Sequence, residues 1–125
     1  MYKNQEFIDR MKKNYLDKGQ VINVLSTYVY GNKFLQHLDN FINKESERSE
    51  FCGVLYPEDF DENDEEYFGE NKILFYARNY DDIVDYDDLY LYLYFACEFY
   101  IEKHENEKDI VEQKLALIVK TYGIK

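Results

Sequence analysis

The 125 residues include no tryptophan, one proline, five glycines, two cysteines and two histidines. Each shortage removes a class of protein. Two cysteines, Cys52 and Cys97, do not make a disulfide framework, and a chain of this length buries a core without covalent staples. There is no Cys-x-x-Cys, no pair of histidines at metal-binding spacing and no glycine-rich phosphate loop. No Pro/Gly/Ser linker and no internal repeat divides the chain, so one domain over residues 1–125 is expected. No apolar run reaches membrane-spanning length. Met1 leads into Tyr2-Lys3-Asn4-Gln5-Glu6 without the apolar stretch of a signal peptide. A reduced, cytoplasmic protein with no membrane contact is the expectation.

What is abundant is acid and tyrosine. The formal net charge is −11, and there are 14 tyrosines. From Glu58 to Asp88 stand 13 acids against two bases, Lys72 and Arg78; the rest of the chain carries 13 acids and 13 bases. The whole imbalance therefore lies in that one segment. It argues against direct nucleic-acid binding, which needs a basic footprint, and for a basic partner, a metal or plain solubility. Enough aromatic and aliphatic residues accompany the acids to build a core, so the chain is not disordered by composition.

The longest apolar run, Leu89 to Cys97, sits inside Ile83–His104. Leu89-Tyr90-Leu91-Tyr92-Leu93-Tyr94 alternates like a strand, yet Leu89, Leu93, Ala96, Cys97, Tyr100 and His104 recur at three and four. Length and capping favour a helix: Asp85 is a natural N-cap with Asp88 three residues on, and Lys103 and His104 close the last turn. With Leu91, Phe95 and Phe99 off the main stripe, this helix is apolar over more than half its girth and is expected at the centre of the fold. Helical spacing also marks Asn4–Leu16 (Phe7, Ile8, Met11, Tyr15, Leu16), Gln20–Tyr30 (Val21, Val24, Leu25, Tyr28, Val29) and Lys33–Lys44 (Phe34, Leu35, Leu38, Phe41, Ile42). Asn106, with Asp109 three residues on, is the expected cap of a last helix whose stripe is Ile110, Val111, Leu115, Ile118 and Tyr122, with Gly123 as its C′ glycine. Phe51–Tyr56, closed by Pro57, reads as a strand, as do Lys72–Tyr76 and Tyr80–Val84. Tyr67-Phe68 is a further hairpin candidate across Gly69-Glu70-Asn71. Glu45–Glu50 and Glu58–Glu66 read as loops. The predicted class is α+β: N-terminal helices, a small antiparallel sheet of about three strands, and two C-terminal helices.

Catalytic signatures are sparse. His37 and His104 stand alone, and Cys52 would need a histidine beside it in space to act as a nucleophile. Asp59 to Glu70 places oxygen side chains at positions 1, 3, 5 and 12 of a calcium loop, but Asp64 replaces the glycine at position 6 and Glu66 the apolar residue at position 8. The segment is read as a solvated acidic loop, with no metal and no cofactor expected. Its acids are interleaved with Tyr56, Phe60, Tyr67, Phe68, Tyr76, Tyr80 and Tyr86. Rings anchor an interface with little entropy loss, while carboxylates steer and pair with lysine and arginine. Such a surface imitates nucleic-acid phosphate.

Over Lys72 to Gly123 the chain resembles the immunity proteins of bacterial contact-dependent growth inhibition, particularly those paired with ribonuclease toxins. The carrying residues are the strand Ile73-Leu74-Phe75-Tyr76, the acidic helix start Asp85-Tyr86-Asp87-Asp88 and the helix Leu89…Leu93…Ala96-Cys97…Tyr100-Ile101…His104. A closing helix with Ile110, Leu115 and Ile118 completes the pattern. The resemblance implies a small cytoplasmic protein that binds one cognate toxin domain as a monomer in a 1:1 complex and has no activity of its own. It carries over no individual contact residue. The acidic and tyrosine-rich tract supplies the candidates for that contact: Asp59, Asp61, Glu62, Asp64, Glu65, Glu66, Tyr67, Glu70, Tyr80, Asp81, Asp82 and Asp85. Three readings stand: an inhibitor covering a basic nuclease site, a general acidic interaction module or nucleic-acid mimic, and an enzyme or calcium-dependent protein. Beside them stands the plain alternative that the acids are solvent-facing ballast.

Overall fold

Every segment with helical spacing folds as a helix: α1 (Gln5–Lys13), α2 (Gly19–Tyr30), α3 (Phe34–Ile42), α4 (Tyr86–Lys103) and α5 (Lys108–Tyr122). Between α3 and α4 run β1 (Glu47–Arg48), β2 (Cys52–Leu55), β3 (Lys72–Ala77) and β4 (Tyr80–Asp85), an antiparallel sheet in the order β1-β2-β3-β4. The computed structural model describes residues 5–124, so Asn4, the expected first residue of α1, lies outside the described residues. The architecture is α+β, with helices at both ends of the chain. Among the described residues, no helix is long and apolar enough to cross a membrane.

α4 begins as its sequence indicates: Asp85 Oδ1 accepts from the Asp88 backbone N–H at 2.8 Å. The strand-like alternation loses because Leu89, Leu93, Ala96, Cys97 and Tyr100 need one buried side, whereas Leu91 points outward and is 43% exposed. Phe99, off that stripe by spacing, is buried too, edge-on to Phe7 of α1. The most enclosed helix, however, is α2. In its 12 residues Val21, Ile22, Val24, Leu25, Ser26, Tyr28 and Val29 are all buried. It lies against β3 and β4 and is flanked by α1, α3 and α4. Its N-terminus has no capping side chain of its own; instead the Lys18 N–H donates to the Tyr92 hydroxyl and the Gln20 N–H to Asp82 Oδ2 at 2.8 Å.

Strand register sorts the sheet residues. Val54 pairs with Phe75, Phe75 with Asp82, and Ile73 with Val84, all on the face that the helices cover. Phe41 of α3 packs on Phe75 at 6.2 Å between ring centroids. α5 closes the core through Tyr122, whose hydroxyl donates to the Phe41 carbonyl at 2.6 Å and so accepts from the Tyr56 hydroxyl at 2.8 Å.

Several expectations need correction. Glu45–Glu50 is not all loop: Glu47 and Arg48 add a fourth strand, because Glu47 pairs with Val54 and Arg48 with Gly53. Tyr67-Phe68 forms no strand; β3 finds its partners in β2 and β4. Asn106 does not cap α5. Glu105–Glu107 form a 3-10 turn that runs into the helix, and Glu107 instead accepts from the Tyr100 hydroxyl. Ile110 on α5 is 42% exposed, and Tyr15, past the end of α1 in left-handed backbone, is 89% exposed. Gly123 does end α5 in the left-handed conformation, with φ 64°.

Candidate functional site

Among the described residues, no helix covers the second face of the sheet. On this side the register aligns Leu55, Leu74 and Ile83 in one cross-strand row, and Arg48, Gly53, Tyr76 and Asp81 in the next. Leu55, Leu74, Tyr76 and Ile83 are half-buried. Gly53 is required by close approach: a Cβ there would stand 2.6 Å from Tyr76 Cε2 and would run into the Glu47 carbonyl. Tyr76 lies across it, its hydroxyl donating to the Ser49 carbonyl at 2.8 Å and accepting from the Ser49 N–H at 3.1 Å.

The acidic loop between β2 and β3 arches beside this face. It starts with a 3-10 turn, Pro57–Asp59, in which Asp59 accepts from the Tyr56 N–H at 3.2 Å and from the Ser46 hydroxyl. Two more turns follow, closed by Asp61 Oδ1 accepting from the Asn63 N–H and Asp64 Oδ1 from the Glu66 N–H, each at 3.0 Å. Phe60 and Phe68 meet edge to face at 5.8 Å and pinch the loop at its base. Gly69, at φ 100°, turns the chain out of it.

Two hollows result. The larger, of about 750 Å³, runs between loop and sheet over Leu55, Leu74 and Ile83. Phe60, Tyr67 and Phe68 wall it, and Glu65 and Glu66 belong to its loop side. Tyr76, Asp81, Tyr80, Arg78 and Arg48 lie towards the β3–β4 turn. The smaller, of about 260 Å³, gathers Glu58, Glu62 and Glu70 around Phe60 and Tyr67. The Tyr67 phenol is accordingly held above its ordinary pKa, first by partial burial and then by the charges of Glu70, Glu62 and Glu58.

The expected contact residues thus divide. Glu65, Glu66, Tyr67, Tyr80 and Asp81 converge on the larger hollow; Glu62, Tyr67 and Glu70 on the smaller. Asp61 and Asp64 are exposed at the loop tip, each with one oxygen engaged in a turn. Asp59, Asp82 and Asp85 hold the fold together: Asp59 caps the 3-10 turn, Asp82 the start of α2, Asp85 that of α4. Sequence reasoning missed Glu58, the two arginines and the apolar floor. The alternation Ile73-Leu74-Phe75-Tyr76 was the available signal for the floor, but which face stays open depends on helices distant in the chain.

Elsewhere both histidines are engaged. His37 stacks on Tyr28 at 3.6 Å, its Nδ1 2.8 Å from a Glu47 oxygen. His104 stacks on Tyr100, whose hydroxyl is pushed up to about 12, chiefly by burial and then by the hydrogen bond to Glu107. Burial pushes the Cys97 thiol up to about 12. Among the described residues, no group of three or more His, Cys, Asp or Glu residues is placed to hold a metal ion.

The chain matches the family described as CDI immunity protein over residues 18–115. That span runs from the start of α2 into α5 and takes in every residue of both hollows. It begins well before the resemblance at Lys72–Gly123, so α2 and α3 belong to the family pattern. No curated protein and no solved structure matches the chain.

Proposed function

This chain belongs to the CDI immunity protein family, and we propose that it neutralises a ribonuclease toxin domain by covering that domain's basic active site with the loop of residues 58–70 and the adjoining open face of the sheet. The observation that carries this reading is the gathering of Glu58, Glu62 and Glu70 around the half-buried ring of Tyr67. An aromatic anchor ringed by carboxylates suits a surface rich in lysine and arginine. The acids raise the encounter rate, the rings supply buried area, and RNA is shut out by the body of the protein. Inhibition is stoichiometric, one copy per toxin domain in the cytoplasm, with no reaction catalysed by this chain and no cofactor.

The test is association kinetics against the toxin domain of the neighbouring toxin gene. Reversing Asp61, Glu62, Asp64 and Glu65 to lysine is expected to slow association about tenfold or more and to flatten its salt dependence. An unchanged association rate would put the interface elsewhere.

A further inference from the structure

The larger hollow is not uniformly acidic. Its loop side carries Glu65 and Glu66, its floor is Leu55, Leu74 and Ile83, and towards the β3–β4 turn it carries two bases, Arg48 and Arg78, against one acid, Asp81. Arg48 and Arg78 are exposed, and among the described residues neither forms an ion pair. Arg78 is also strained. It occupies the first position of the two-residue turn between β3 and β4 at φ 59°, where hairpins favour glycine, asparagine or aspartate. Tyr76, tied at its hydroxyl to both backbone groups of Ser49, gives the same end a wall that is already ordered before anything binds.

Resting on the toxin-binding reading, we infer that this groove takes one projecting segment of the toxin in a single direction. The segment sets a lysine or arginine against Glu65 and Glu66, seats an aliphatic side chain on Leu55, Leu74 and Ile83, and places a carboxylate against Arg48 and Arg78. At about 750 Å³ the groove encloses a few side chains, not a domain surface. A second copy of this chain is a poor occupant, since it carries the same net charge of −11 and would set its own acids against Glu65 and Glu66. The two charged ends supply direction and specificity that a uniformly acidic plug lacks, because a partner of reversed charge order sets its acid against Glu65 and Glu66 and its base against an end that stays net basic despite Asp81.

Three proteins test this against the same toxin domain: Arg78→Gly, Leu74→Arg and the loop charge reversal described above. Arg78→Gly relieves the backbone strain and keeps the N–H that donates to the Phe51 carbonyl at 2.7 Å. Its thermal midpoint is expected to hold or rise while toxin affinity falls about tenfold, mainly through faster dissociation. Leu74→Arg fills the floor and is expected to weaken binding at least as much; Ile83→Lys serves the same purpose should Leu74→Arg fail to fold. Affinities within twofold of wild type for both Arg78→Gly and the floor variant overturn the inference. If the loop reversal alone then slows association, the toxin-binding reading survives without the groove; if wild type does not bind the toxin domain, both fall. A self-association of the free protein that Leu74→Arg abolishes assigns the face to a second copy and overturns the inference as well.

Discussion

The two faces of the sheet are built from alternate residues of the same strands and have opposite fates. On β3, Ile73 and Phe75 are fully buried under α2 and α3, while Leu74 and Tyr76, one residue away on each side of Phe75, stay half-exposed on a face without helices. The covered face is apolar and closed, and its two acids are engaged within the fold, Asp82 at the N-terminus of α2 and Glu47 on His37. The open face is comparably apolar in its central row but is rimmed by charges of both signs. Apolar area left in water beside the acidic loop is what the proposed toxin-binding reading uses. On the proposed reading the pleat separates stability from recognition: substitutions at Ile73 and Phe75 are expected to act on the fold, and those at Leu74 on toxin binding.

The sharpest way to break this comparison is to truncate neighbouring residues on the two faces. Phe75→Ala is expected to cost about 3–5 kcal/mol by opening a cavity beside Val54 and Phe41. Leu74→Ala should cost about 1 kcal/mol or less, since part of its side chain is already in water. Urea unfolding of the two variants reads the difference; equal losses would mean the outer face is structural. Next in size is Tyr122→Phe. It removes the proton that the Phe41 carbonyl accepts and the acceptor of the Tyr56 hydroxyl, on the covered side. A loss of about 1–3 kcal/mol in the same measurement is expected, with toxin affinity unchanged.

The smallest effect is a pH dependence that belongs to the covered side. Burial raises the phenols of Tyr28, Tyr56 and Tyr122 well above 10, and Cys97 from 9.0 to about 12. A group whose folded pKa is raised contributes stability that is complete below its unfolded pKa and is lost as pH climbs towards the folded value. Stability should therefore be insensitive to these groups up to pH 8 and fall by about 1 kcal/mol by pH 9.5, followed by the urea midpoint. Leu74→Ala should show the same slope, and a slope that changed with it would couple the two faces.

Much of the fold was legible because its causes are local. Apolar residues at three and four marked all five helices, and Asp85 with Asp88 announced the start of α4. β1 was not legible, since Glu47 and Arg48 carry no strand pattern and become a strand through pairing with Val54 and Gly53. Nor was the cap of α5, where a 3-10 turn took the place that Asn106 offered. Of the candidate site, the acids and Tyr67 were visible as composition, but their division of labour was not. Asp82 and Glu66 look alike in a row of letters; one holds a helix end and the other stands on the rim of a groove.

By itself the sequence determined the helices, the α+β class and the gathering of charge between Glu58 and Asp88, because periodicity and charge density are properties of neighbouring residues. Tertiary structure alone decided which face of the sheet the helices cover and that Asp82 is consumed at the start of α2. It also brought Leu55, Leu74 and Ile83 into one row beside Arg48 and Arg78. Those outcomes depend on register and on packing partners far apart in the chain, and a change of one residue in register would turn the apolar row of each strand to the other side.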